Sequence, residues 1–368
     1  MTNANLAALS AAGVSVWLDD LSRQLLTSGE LEERMAKYSI VGVTTNPAIF
    51  QAALADSDAY HSALTEAVSR DRDVDSVVRA LTTADVRDAC DILRPVFDAT
   101  QGVDGRVSLE VDPRLADETE ATVTQAQELS AAVDRPNVMI KIPATAAGLP
   151  AITDVIGKGI DVNVTLIFSV EQYRKVAEAY LTGLEQAAAA GHDLASIHSV
   201  ASVFVSRLDT EIDSRLAADS ELRGLAGLAN ARLCQEVYDE VFDPDGRFGA
   251  LADRGARPQR LLWASTGVKD PAYPDTLYVS GLVTHGTVNT MPFATIEAFA
   301  DHGVLEGDTV RDTAEESRAT LEALRAEGID LAEVFRLLEQ QGVEKFVAAW
   351  DDLIATVETR IDEIPSGS

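Results

Sequence analysis

The sequence predicts an α/β chain: a (β/α)8 barrel of the TIM type with additional C-terminal helices. Eight short runs rich in β-branched residues alternate with longer helical patterns along 368 residues. Several runs are almost continuously apolar (VMIKI, VTLIF, SVFV), as expected of strands covered on both faces by helices. The number of such runs favours a closed barrel over a doubly wound sheet.

The predicted strands are 14–19, 39–44, 106–111, 137–142, 161–166, 200–205, 260–265 and 278–283. Helical patterns occupy 30–37, 51–69, 73–99, 115–133, 170–190, 210–218 and 227–241. Only 12 residues separate the seventh and eighth predicted strands, and they include Pro271 and Pro274, so this connection is expected to lack a full helix. The tail, 306–361, reads as two or three amphipathic helices, placed either over the barrel or against another subunit. No Pro/Ser-rich linker, charge block or internal repeat divides the chain. It is therefore read as one domain over 1–368, with a C-terminal helical extension from about 304 to 363.

Apolar residues make up 46% of the chain, enough for a sizeable core, and the formal charge is −30. That charge repels phosphate backbones and anionic lipid, so nucleic-acid and membrane partners are not expected. An anionic substrate would need a local cationic pocket. The two cysteines, Cys90 and Cys234, cannot make a disulfide framework, and the five scattered histidines show no metal spacing. Neither a basic, apolar leader nor an 18-residue apolar run is evident, so a soluble, cytoplasmic protein is expected. The oligomeric state is left open.

In a barrel the chemistry gathers at the C-terminal ends of the strands. The polar residues there are Asp19, Thr44-Thr45-Asn46-Pro47, Glu110, Lys141, Asn163 with Thr165, Ser202 leading to Arg207, and Ser265 leading to Lys269. The chain has only six lysines, and Lys141 lies between apolar neighbours in a strand covered on both sides. It should point into the barrel, where a desolvated amine is a nucleophile suited to a carbonyl. The alternative is a lysine snorkelling from a strand end, paired with Glu110 or Asp112. Glu110 reads equally as that counter-ion. Spacing alone favours Asn163 and Thr165 as groups satisfied inside the barrel, and offers Asp19 as a helix N-cap in competition with Asp20.

These residues sit in segments that resemble the strand motifs of transaldolases, most closely the bacterial branch with longer chains. The segments are VWLD (16–19), GVTTNP (42–47), SLEVD (108–112), VMIKIPAT (138–145), NVTLIFS (163–169) and SVFVSR (202–207), with TVNTMP (287–292) near the end. They occur in the family's order over roughly 14–296. The resemblance implies cofactor-free Schiff-base chemistry on sugar phosphates. By that resemblance Lys141 is the Schiff-base lysine, and Asp19 the acid/base at the C4 hydroxyl. Glu110, Thr165 and a water form the proton relay for dehydration. Asn46, Asn163 and Ser202 hold the dihydroxyacetone hydroxyls, and Arg207 and Ser265 contact phosphate. Many members carry an Arg two residues after the serine; here Gly267 takes that place, and Lys269 is expected to supply the second phosphate charge.

The reaction implied is transfer of dihydroxyacetone from sedoheptulose 7-phosphate or fructose 6-phosphate to glyceraldehyde 3-phosphate or erythrose 4-phosphate, in the non-oxidative pentose phosphate pathway. Two other readings are a Schiff-base aldolase that releases free dihydroxyacetone and a non-catalytic barrel used for binding.

Overall fold

The computed structural model describes residues 2–55 and 58–364. Eight parallel strands close into a barrel in sequence order: β1 (Val14–Asp19), β2 (Ile40–Thr44), β3 (Arg106–Glu110), β4 (Val138–Pro143), β5 (Val162–Ile167), β6 (Ser199–Phe204), β7 (Arg260–Ala264) and β8 (Thr287–Met291). Helix α1 (Ala4–Ala11) precedes β1. Helices α2 (Arg23–Thr27) and α3 (Glu30–Tyr38) lead to β2, and α4 (Pro47–Ala55), α5 (His61–Arg70) and α6 (Val74–Ala99) to β3. Then α7 (Thr119–Val133) leads to β4, α8 (Gly148–Gly157) to β5 and α9 (Val170–Ala190) to β6. Helices α10 (Ser206–Asp213), α11 (Ala226–Val241) and α12 (Gly249–Ala252) lead to β7, and α13 (Leu277–Ser280) to β8. Last come α14 (Phe293–His302), α15 (Ala314–Ala326) and α16 (Leu331–Asp362).

Alternation along each strand sorts its side chains into two cores. In β4, Ile140 and Ile142 join the outer core between sheet and helices, while Met139 belongs to an inner cluster with Trp17, Val200, Leu262 and Val288. The inner cluster fills the middle of the barrel below its C-terminal end, where barrels of this kind place their chemistry. Trp17 sets the scale of this packing. A Cβ at Gly42, on the neighbouring strand, would lie 2.5 Å from the indole, so only glycine fits beside it. The indole N–H donates to Asp104 (3.1 Å), which also accepts from Ser15 (2.7 Å) and Arg260 (3.1 Å), closing the floor at the N-terminal end.

The sequence reading misplaces one strand. Within 278–283, Tyr278, Val279, Leu282 and Val283 are buried, but the segment begins in the single turn α13 and lies outside the sheet; β8 lies at Thr287–Met291. That strand carries Thr287, Asn289 and Thr290, all buried, so it lacks the continuous apolar run that marked the others. The connection from β7 does lack a full helix. The helical pattern at 51–69 also divides: α4 ends at Ala55 and α5 begins at His61. The tail forms two helices, and α16 lies across the C-terminal mouth, packed on α4, α6, α10 and β5. Its Gly342 admits Leu166 and Phe168, which a Cβ would meet at 3.0 and 3.3 Å.

Candidate active site

Lys141 is the fourth residue of β4, on the inward face, and is 6% exposed. Its Nζ donates to the Thr45 carbonyl (2.6 Å) and stands 3.4 Å from Glu110 Oε2. Strand register produces this meeting: Glu110 on β3 and Asn163 on β5 are the direct partners of Lys141. Lys141 therefore points inward, with Glu110 as its neighbour and Asp112 engaged elsewhere, by Arg114. Burial raises the Glu110 carboxyl above the ordinary glutamate range, with the charge of Lys141 opposing.

Asp19 ends β1 and pairs in register with Thr44 of β2. It accepts from the Thr44 hydroxyl (2.7 Å), which is 2.6 Å from the Thr290 hydroxyl of β8. Burial lifts the Asp19 carboxyl above the ordinary aspartate range; Lys141 is the largest opposing influence, followed by Thr44, Arg207 and Lys269. Asp19 caps no helix: the cap of α2 is Ser22.

A line of polar groups crosses the floor of the site. The Ser202 hydroxyl donates to Asn163 Oδ1 (2.7 Å), and Asn163 Nδ2 donates to the Ser108 hydroxyl (3.0 Å). Asn46 Oδ1 accepts from the Ile49 amide (3.1 Å), which orients the side chain at the start of α4. The Thr165 hydroxyl is buried and has no hydrogen-bond partner in the protein. It sits beside an irregularity in β5, where Leu166 adopts φ 59° and the register with β6 shifts.

The cationic side is built by α10 and the segment after β7. Arg207 stacks on Phe204 (5.0 Å to the ring centroid), and its Nη1 is buried without a partner. Burial pulls its guanidinium below the ordinary arginine range, with Glu110 and Asp19 opposing. Ser265, held at φ 56°, meets Ser206 hydroxyl to hydroxyl (2.9 Å). Lys269 lines the same cavity and projects over Gly267, 3.9 Å from where a Cβ would stand.

Asp19, Asn46, Lys141, Asn163, Thr165, Ser202, Arg207, Ser265 and Lys269 all line one cavity of about 250 Å3, with Glu110 behind Lys141. The sequence reading missed Thr290 and Phe346. Phe346 comes from α16 and lies 5.8 Å from Lys141 Nζ and 5.9 Å from the Arg207 guanidinium. Among the described residues, no three or more His, Cys, Asp or Glu side chains group in a way that would hold a metal ion. Among them, too, no helix is long and apolar enough to cross a membrane.

The family model for transaldolase/fructose-6-phosphate aldolase matches residues 16–357, a span that includes every side chain of this cavity. The chain belongs to that family. Family relatives extend over nearly its full length. Proteins named transaldolase from Mycobacterium tuberculosis and Mycobacterium marinum are 59% identical over 365 and 367 residues, and one from Mycolicibacterium smegmatis is 60% identical over 365. In each case 98% of both chains is covered.

The family's barrel here gathers an amine, two carboxyls of raised proton affinity, amide and hydroxyl groups, and two cations. Such a set can join covalently to a ketone, move protons at two places and hold a phosphate.

Proposed function

We propose that the chain is a transaldolase. It moves a dihydroxyacetone unit from sedoheptulose 7-phosphate or fructose 6-phosphate to glyceraldehyde 3-phosphate or erythrose 4-phosphate, through a Schiff base on Lys141. The setting is the non-oxidative pentose phosphate pathway. The observation that carries this reading is the buried Lys141 amine facing Glu110 inside a cavity that also holds Asp19.

Breaking the C3–C4 bond of a ketose leaves an electron pair on C3, and an iminium at C2 accepts it. The Lys141 amine attacks C2 to give a carbinolamine. Glu110, with Thr165 and a water, gives a proton to the C2 hydroxyl, which leaves as water. Asp19 then takes the C4 hydroxyl proton, C3–C4 breaks, and the aldose phosphate departs, leaving the enamine. The acceptor aldehyde receives the C3 electron pair while Asp19 returns the proton, and water hydrolyses the new iminium.

The enamine must survive between the two aldehydes, so Asn46, Asn163 and Ser202 hold its hydroxyls. Ser265, Arg207 and Lys269 bind the phosphate and supply the cationic pocket that a chain of net charge −30 requires. The experiment is a comparison of products from fructose 6-phosphate with and without erythrose 4-phosphate. A seven-carbon ketose phosphate formed only with the acceptor, with little free dihydroxyacetone, supports transfer. Equal release of dihydroxyacetone in both refutes it.

A further inference from the structure

A second cavity of about 190 Å3 lies on the far side of Glu110 from the substrate cavity, walled by α4, α6, α7 and α16. Glu110 and Asn46 line it at the inner end, and Asn46 lines both cavities. Its outer rim is Asp75, Arg79 and Arg114, with side chains 40–47% exposed. The space therefore runs from Glu110, the strand neighbour of Lys141, to the exposed rim, on a side separate from Lys141 and the phosphate-binding cations. Its polar groups are those that water needs. Trp350, from α16, lines it, and the Trp350 indole N–H is buried with no acceptor in the protein. Gln125 holds its place in the wall by accepting from the Asp112 amide (2.5 Å). The wall is mixed, with Phe50, Leu109 and Leu129 between these polar groups, and a space of this size has room for several waters along its polar side, each needing roughly 10–15 Å3 for its centre and two to four partners.

The proposed reaction, on which this inference rests, expels one water at C2 on forming each Schiff base and takes one up on hydrolysing it. When it does so, a ketose phosphate fills the front cavity and Phe346 covers Lys141. We propose that the cavity behind Glu110 is a water passage: the water made at C2 leaves, and the hydrolytic water enters, past Glu110 and Trp350 rather than through the substrate mouth. The balance is that of dehydration. C2–O breaks, the oxygen departs as water with the proton from Glu110, and Glu110 regains a proton through the water in the passage.

The test uses fructose 6-phosphate labelled with 18O at C2, the full chain and no acceptor. Label is lost when expelled water mixes with solvent before the imine is hydrolysed. The rate of label loss is divided by the rate of imine formation, measured by borohydride capture. Two variants fill the passage without touching the catalytic groups: Thr82→Leu, whose hydroxyl now bonds only within its own helix (Val78 carbonyl, 2.9 Å), and Leu129→Phe from α7. In the unsubstituted chain label loss keeps pace with imine formation. In the filled variants the ratio falls severalfold while capture continues, because the expelled water is returned to the same iminium. A merely structural defect would slow capture and label loss together and leave the ratio alone. An unchanged ratio in either folded variant overturns the passage. Absence of capture in the unsubstituted chain overturns instead the Schiff-base reading beneath it.

Discussion

Glu110 and Lys141 occupy partnered positions on adjacent strands, and 3.4 Å separates Glu110 Oε2 from Lys141 Nζ. Parallel register puts the carboxyl and the amine side by side at the C-terminal end of the barrel, where each residue is 6% exposed. A buried charge left without its partner is costly, so the two groups are bound to act together. We propose that a proton passes between this carboxyl and whatever is bonded to the amine.

Asp19 is proposed to act after the Schiff base forms. Asp19→Asn is expected to leave borohydride capture of fructose 6-phosphate intact and to slow transfer by about 10²–10⁴, the usual worth of one positioned acid/base. Rates of capture and of steady-state transfer, measured on the same preparation, check this. Transfer at the unsubstituted rate would assign the proton to another group.

Phosphate recognition is proposed to divide between Arg207 and Lys269. Each charge-assisted contact is worth about 1.5–3 kcal/mol, so Arg207→Ala or Lys269→Ala should raise KM for fructose 6-phosphate by roughly 10–150-fold. Capture of free dihydroxyacetone should change little. Equal losses for phosphorylated and unphosphorylated ligands would remove the phosphate role.

A pH-dependent stability belongs to Asp209 on α10. It accepts from the Gly227 amide (2.7 Å) and the Tyr278 hydroxyl (2.8 Å), and burial raises it from 3.8 to about 6. The folded state thus holds this proton more tightly than the unfolded state. The stability it contributes is full below about pH 4 and is lost as pH rises through about 6, by roughly 3 kcal/mol. Asp209→Asn lacks this titration, so the variant should gain Tm relative to the unsubstituted chain between pH 4 and pH 7. Parallel Tm–pH curves would show that Asp209 does not titrate this way.

The tail completes the site through Phe346. Phe346→Ala should lower kcat/KM about tenfold, equal to about 1.4 kcal/mol of transition-state stabilisation, with little loss of secondary structure. We propose that barrel and tail are one folding unit, since α16 packs on α4, α6, α10 and β5. Thermal unfolding followed by near- and far-UV circular dichroism should then give one coincident transition, and a separate transition for the tail would contradict it.

Much of this was legible in the sequence because parallel strands buried on both faces are apolar, which makes an inward Lys or Glu stand out. Lys141 within VMIKI and Glu110 within SLEV are such exceptions. Strand β8 was misread for the same physical reason. Polar residues interrupt it on both faces, Thr290 inward beside Val288 and Thr287 and Asn289 outward, while Tyr278, Val279, Leu282 and Val283 upstream belong to the outer core. Short apolar runs do not reveal by periodicity whether they are strand or helix. Thr290 was hidden with its strand. Phe346 was hidden differently: on an amphipathic helix, a phenylalanine that covers an active site follows the same spacing as one that packs a core.

Lys141 is proposed to form the covalent bond to the ketose. Its most direct measurement is borohydride reduction in the presence of fructose 6-phosphate, followed by mass mapping of the modified peptide. A reduced sugar adduct is expected on Lys141 alone and none in Lys141→Ala. An adduct on another lysine, or one that persists in Lys141→Ala, would contradict it.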